Sequence, residues 1–261
     1  MKTSRRRAVR MAVAPNAHTS DGNAKSIVPY PDLSYLEKCA VEDAIIEAGR
    51  RLPAAAARCR IDLATAAEEP ITRLLRDELD LLRRDESSPV PGFSEDSFQH
   101  IPESEGVPDA GGRLDEFGTH FPDLVFRPVR TPRQARSSVE YGLFVECKIV
   151  DLGKEHHSIR YYCNRGILRF VSGDYAGAMP GAMIIAYVRG HCDVATHLGQ
   201  YLIKDEHALA FQVVRPPTPS PRLASSAVIA LYASRHARSK VRVWGTYPPG
   251  DIELVHLWLR L

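Results

Sequence analysis

The feature that most constrains this chain is an apolar run from Tyr141 to Val150 that carries a glutamate and a lysine two residues apart. Side chains of a strand alternate between its faces, so Glu146 and Lys148 share one face with Gly142 and Phe144. Leu143, Val145, Cys147 and Ile149 take the other face, which is wholly apolar and reads as core. A strand buried on its reverse thus holds a carboxylate and an ammonium side by side, and buried charges need partners or a function. A second apolar run, Asp123-Leu124-Val125-Phe126, opens on another carboxylate directly after Pro122. Two carboxylates and an ammonium suit a divalent cation and the activation of water beside a phosphate. The bland alternative is a surface Glu-Lys pair on a half-exposed strand, preceded by a Pro-Asp turn.

With 261 residues the chain can bury one good core, and its 44% hydrophobic and 25% charged residues are ordinary for a globular protein. The net charge of +2 does not by itself announce a nucleic-acid partner. Its distribution is uneven, with basic residues gathered at Arg5 to Arg10, Arg127 to Arg136, Arg160 to Arg169 and Arg235 to Arg242. Arginine forks suit phosphate. The five cysteines are odd in number and form no Cys-x-x-Cys, which points to reduced thiols and a cytoplasmic location rather than a zinc ribbon. His156-His157 and His191-Cys192 lack the spacing of a zinc site. No stretch is apolar enough to span a membrane, and the basic N-terminus is short of apolar length for a signal peptide.

Along the chain, residues 1–30 read as a flexible basic arm and residues 31–261 as one domain. Its first part, 31–85, is helical: one helix follows the caps Asp32 and Ser34, Pro53 starts another, and a third covers about Glu68 to Arg84. The stripe Ile71, Leu75, Leu79 and Leu82 gives that third helix a single apolar face, and Glu68 lies in phase with it. Residues 86–120, rich in Ser, Pro, Gly and acids, read as a long loop with a short strand at Phe98 to Ile101. Residues 121–261 alternate. The runs at Asp123 and Tyr141 form a long hairpin, and a helix spans His156 to Val171. Strands follow at Ala182 to Val188, His207 to Val214, Ala227 to Ala233 and Ile252 to Leu259, with a helix from Asp193 to Lys204 and a break at Pro216-Pro217-Thr218-Pro219. The expected class is α/β (α+β), a central mixed sheet flanked by helices with an N-terminal helical segment.

Pro122-Asp123 followed by Glu146-Cys147-Lys148 resembles the motif of the PD-(D/E)XK nuclease superfamily, the restriction-endonuclease-like fold. The resemblance implies that Asp123 and Glu146 hold Mg²⁺, with Mn²⁺ as a substitute, and that Lys148 orients the attacking water and stabilises charge on the phosphate. A helix ahead of the Asp often adds a Glu in that superfamily, which makes Glu68 the candidate, with Glu69 behind it. The alternative is that both acids simply favour a helix N-terminus. The segment Asn164 to Tyr175, the strand after it, and the end of the chain at Ser234, His236, Arg238 and Ile252 to Leu261 are similar to uncharacterised bacterial proteins of this nuclease-like type, over roughly residues 120 to 261.

Tyr161, Arg165 and Arg169 recur every fourth residue, a face that suits a nucleic-acid backbone. His236 and Arg238 are further candidates for phosphate. The expected activity is Mg²⁺-dependent hydrolysis of DNA phosphodiester bonds. The resemblance makes an effector of bacterial anti-phage defence the expected setting, with a protein partner or regulatory subunit and a possible homodimer. The alternatives are a non-catalytic nuclease-fold subunit that binds DNA or a partner protein, and a nuclease directed at RNA.

Overall fold

A computed structural model describes residues 30–99, 122–132, 141–174, 176–222, 228–239 and 250–261. The expected basic arm, most of the long loop after Gln99, and part of the last basic cluster lie outside the described residues. The buried apolar side chains form one contiguous core.

Six strands make one mixed sheet: β1 (Leu124–Phe126), β2 (Leu143–Asp151), β3 (Gly181–Arg189), β4 (Val213–Pro219), β5 (Ile229–His236) and β6 (Ile252–Arg260). Their order across the sheet is β1-β2-β3-β6-β5-β4. β2, β3 and β6 run parallel, while β1 pairs antiparallel with β2, and β5 pairs antiparallel with both β6 and β4. The parallel centre explains the sequence of β2 and β3: strands covered on both faces read as nearly continuous apolar runs, and every residue from Leu143 to Val150 is buried. The expected hairpin of the two motif strands is present, with Leu124 opposite Val145. Of the short strand expected at Phe98 to Ile101, the described part is a bridge from Phe98 to Pro128.

Two long helices cover the face that carries Cys147, Tyr187 and Leu259. The first, α1 (Tyr35–Cys59), opens with a capping box between Ser34 and Glu37. Pro53 does not start a new helix as the sequence reading expects; α1 runs through it. Leu52, Ala55 and Ala56 continue its buried face, and that burial outweighs the lost backbone bond. Gly49, one turn earlier, packs so closely on Leu259 that a Cβ there would lie 2.9 Å from that side chain. The second, α2 (Glu68–Arg84), follows its predicted stripe, with Ile71, Leu75, Leu79 and Leu82 fully buried.

The opposite face, carrying Glu146, Lys148 and Ile184, is covered by a composite helix. A 3₁₀ turn (Glu155–His157) leads into α3 (Ile159–Tyr162), a π-helical turn (Cys163–Ile167) and α4 (Leu168–Ser172). A π-turn inserts a residue into the ladder, so Tyr161, Arg165 and Arg169 do not form the straight stripe their spacing predicts. The expected helix at Asp193 to Lys204 likewise contains a π-turn, Val194–Gly199, before α5 (Gln200–Leu202).

The strand expected at His207 to Val214 is a correction. Asp205–Ala210 is helical (α6), Gln212 turns the chain with φ 49°, and β4 begins at Val213 and runs through the prolines. Proline is tolerated there because β4 is an edge strand, whose outward backbone needs no N–H donor, and its pairing with β5 is correspondingly irregular.

Candidate functional site

The site follows from a short strand. β1 is only three residues long and begins opposite Val145, so among the described residues no strand flanks the edge of β2 beyond Val145, although its amides are buried. Buried amides require acceptors. Two carboxylates supply them: the Cys147 amide donates to Asp123 Oδ2 at 2.6 Å and the Ile149 amide donates to Glu68 Oε2 at 3.0 Å. Lys148, between those amides, sends its ammonium back into the same place. Its Nζ lies 2.8 Å from Glu68 Oε1, 2.8 Å from Glu146 Oε1 and 3.9 Å from Asp123 Oδ2. It also donates to the carbonyl of Cys147 at 2.5 Å. Gly166 of the π-turn covers the lysine stem, where a Cβ would stand 3.8 Å from it.

Three carboxylates therefore meet one lysine. Glu146 Oε2 is buried and, among the described residues, accepts no hydrogen bond, which is costly for a carboxylate oxygen. Burial, reinforced by Asp123, pushes the Glu146 carboxyl up to about 8 against the pull of Lys148. Burial likewise raises Asp123, while Lys148 and the Cys147 amide draw it back down. Burial alone would lower the lysine, but Glu146, Asp123 and Glu68 outweigh it and hold the ammonium well above its ordinary value. Arg169 brings a second cation, with Nε 4.0 Å from Glu146 Oε1.

Among the described residues, no group of three His, Cys, Asp or Glu side chains is arranged to hold a metal ion. Mg²⁺ does not require one, because it is commonly held by one or two carboxylates and keeps several waters. The unpartnered Oε2 of Glu146, the hard oxygen donors and a Glu146 carboxyl that burial keeps from ionising until a cation is present fit such an ion at Asp123 and Glu146.

Of the residues singled out in the sequence, Asp123, Glu146, Lys148 and Glu68 are brought together, and Arg169 borders them. Glu69 points away, mostly exposed, and pairs with Arg73 at 3.1 Å. Arg165 is exposed and Tyr161 half-buried on the covering helix.

His236 and Arg238 are not surface phosphate ligands; both are buried. β5 stands three places from β2 in the sheet, roughly 14 Å at the usual strand spacing. The Arg238 guanidinium is occupied by the carbonyls of Gly250, Ala176 and Gly177. His236 ends a closed chain of neutral groups. Its Nδ1 lies 2.7 Å from the carbonyl of Phe211, which only accepts, so Nδ1 carries the proton. Its Nε2 must then accept from the Ser234 hydroxyl at 2.8 Å. Ser234 Oγ accepts from His256 Nε2 at 2.7 Å, and His256 Nδ1 accepts from the Tyr162 hydroxyl at 2.8 Å. Trp258 Nε1 donates to that hydroxyl at 3.4 Å. Burial holds His236 down at about 4 and His256 down at about 3, with His236 adding to the latter, so both are neutral and have opposite tautomers.

No spacing in the sequence points to Arg189 or Tyr187, which together with Thr72 fix the start of α2. Tyr187 donates to Thr72 Oγ1 at 3.2 Å, and Arg189 holds the carbonyls of Leu63 and Ala66. Only Thr72 carried a faint signal, four residues after Glu68 and hence on the same helix face.

Compared with protein-family profiles, curated proteins and solved structures, the chain matches none. The candidate site therefore stands on its own geometry. No helix among the described residues is long and apolar enough to cross a membrane.

Proposed function

We propose that the protein is a Mg²⁺-dependent nuclease of the PD-(D/E)XK type that hydrolyses DNA phosphodiester bonds. The observation that carries this reading is the convergence of Glu68, Asp123 and Glu146 on Lys148, with Glu146 Oε2 buried and unpartnered. A structural ion pair needs one carboxylate per cation; this cluster sets three carboxylates against Lys148 and Arg169.

Asp123 and Glu146 would hold the ion. Bound there, Mg²⁺ would lower the pKa of a water ligand and offset charge on the phosphoryl oxygens. Lys148, held protonated by its neighbours, is unsuited to accept a proton and suited to donate hydrogen bonds to a phosphate whose charge grows in the transition state. Glu146 carries a proton in the absence of a cation and gives it up when a cation takes its place. Arg169, beside Glu146, would bring a guanidinium to the same phosphate, and exposed Arg165 and half-buried Tyr161 on the covering helix would add backbone contacts at its rim. The wider setting, an anti-phage effector in the cytoplasm working with a regulatory partner, rests on the resemblance alone.

Supercoiled plasmid incubated with purified protein and Mg²⁺ or Mn²⁺ tests the reading. Nicking or linearisation is expected, and it disappears with EDTA and in Lys148→Ala. Cleavage that survives Lys148→Ala sinks the site. DNA retention in a gel shift without cleavage by the wild type points instead to a binding subunit.

A further inference from the structure

Glu68 is the first residue of α2, and Ala67 before it offers no side-chain cap. Uncapped helix starts fray, because their first amides lack partners. Yet Glu68 is held well enough to serve both the Lys148 ammonium and the Ile149 amide. The support comes from β3. Arg189, its last residue, is buried, and its Nε and Nη2 donate to the carbonyl of Leu63 at 3.0 and 2.7 Å. The same Nη2 donates to the carbonyl of Ala66 at 2.5 Å, two residues before Glu68. Four residues after Glu68, the Tyr187 hydroxyl donates to Thr72 Oγ1. Tyr187 and Arg189 are two apart on one strand and so share the face beneath α2. The start of the helix is thus pinned on both sides of Glu68 by one strand, through a charged fork whose planar donors suit paired carbonyls.

We propose that Arg189 and Tyr187 are positioning residues that aim the Glu68 carboxylate at Lys148 and the edge of β2. The consequence for metal affinity rests on the nuclease reading; the aiming of Glu68 does not. Two neighbouring amides report it separately, since Ile149 depends on Glu68 and Cys147 depends on Asp123.

Amide hydrogen exchange followed by NMR, together with Mn²⁺ titration of the full chain, tests the proposal. In Glu68→Ala the Ile149 amide loses protection while Cys147 keeps it. Arg189→Met is expected to reproduce that pattern, with Tyr187→Phe doing so more weakly and Arg189→Lys restoring part of the protection. Mn²⁺ affinity falls about tenfold in Arg189→Met and in Glu68→Ala, and combining them adds little, because both remove the same placed carboxylate. Protection of Ile149 left intact in Arg189→Met and Tyr187→Phe overturns the proposal. Equal loss at Cys147 and Ile149 also overturns it, because that marks general loosening. Should the wild type bind no Mn²⁺, the metal reading fails, and the exchange pattern still decides the clamp.

Discussion

Two buried polar groups lie on the same face of the sheet beneath the same composite helix, and they are built on opposite terms. Across β2, β3 and β6, Glu146 aligns with Ile184 and His256, and Lys148 aligns with Ala186 and Trp258. On one side sits the charged cluster, with more carboxylates than cations and an oxygen without a partner. On the other sits the chain Trp258–Tyr162–His256–Ser234–His236, uncharged, with each donor matched to an acceptor. A satisfied network specifies a core; an unsatisfied one costs stability and is expected where a ligand completes it. The contrast favours the edge of β2 over His236 as the place a ligand would complete.

The hardest test of that contrast is Lys148→Ala against Ser234→Ala. Loss of the lysine is expected to reduce plasmid cleavage on the order of a thousandfold, since it removes the charge set against the phosphate. Without divalent metal it also lowers stability by about 3 kcal/mol, because three carboxylates lose their shared cation. Ser234→Ala leaves His236 Nε2 and the His256 N–H unanswered and costs about 2 kcal/mol by denaturant unfolding, with cleavage retained while the protein is folded. If Ser234→Ala abolishes cleavage in folded protein, the two groups are not separate.

The same contrast has opposite pH signatures. The Glu146 carboxyl is raised to about 8 in the folded chain, so between its ordinary value and that point the native state binds more protons than the unfolded state. Stability then falls as pH rises through that window. The histidines are depressed to about 4 and about 3, so the unfolded chain binds more protons below pH 6.5, and stability falls as pH drops through 6.5 towards those values. Metal-free unfolding measured from pH 4 to 9 should therefore peak at about pH 6.5, where the two opposing slopes balance. Glu146→Gln should flatten the alkaline limb and steepen the acid one, and Mn²⁺ should likewise flatten the alkaline limb. An alkaline limb unchanged by Glu146→Gln contradicts the assignment.

How much of this was legible in the sequence depends on distance along the chain. β2 and β3 are read without trouble because burial on both faces writes apolar runs, and the phase of Glu68 with Ile71 and Leu75 is a local property of one helix. Asp123, Glu146 and Lys148 stand out as charges in apolar runs. Three features escaped. Pro53 breaks a helix by propensity, but α1 is held by its packing. Pro216 and Pro217 break a strand unless it lies at an edge, and edge position is decided by strands that come later in the chain. His236 and Arg238 have side chains typical of surfaces, and only contacts distant in sequence, above all the carbonyls of Phe211 for His236 and of Ala176 and Gly177 for Arg238, supply the partners that bury them. Arg189 belongs to the same class, since its acceptors are carbonyls more than a hundred residues upstream, which no residue type advertises.

The smallest effect expected lies at the rim of the charged group. Arg165 is exposed, and its backbone carbonyl accepts from Arg169 Nε at 3.1 Å. Arg165→Ala keeps that carbonyl and removes only the guanidinium, so folding and the placement of Arg169 should be untouched. If the composite helix lies along a DNA backbone, the substitution removes one phosphate contact. Affinity in a gel shift should then fall modestly and by a similar factor for every sequence, and the slope of log affinity against log salt should drop by about 1. Cleavage at saturating DNA should stay at the wild-type rate, because the lost charge acts on binding and not on the reacting phosphate. The same loss in Arg169→Ala should be joined by a slower rate, since that guanidinium stands against Glu146. Equal behaviour of the two variants would place both on the rim and leave Lys148 as the cation acting on the phosphate.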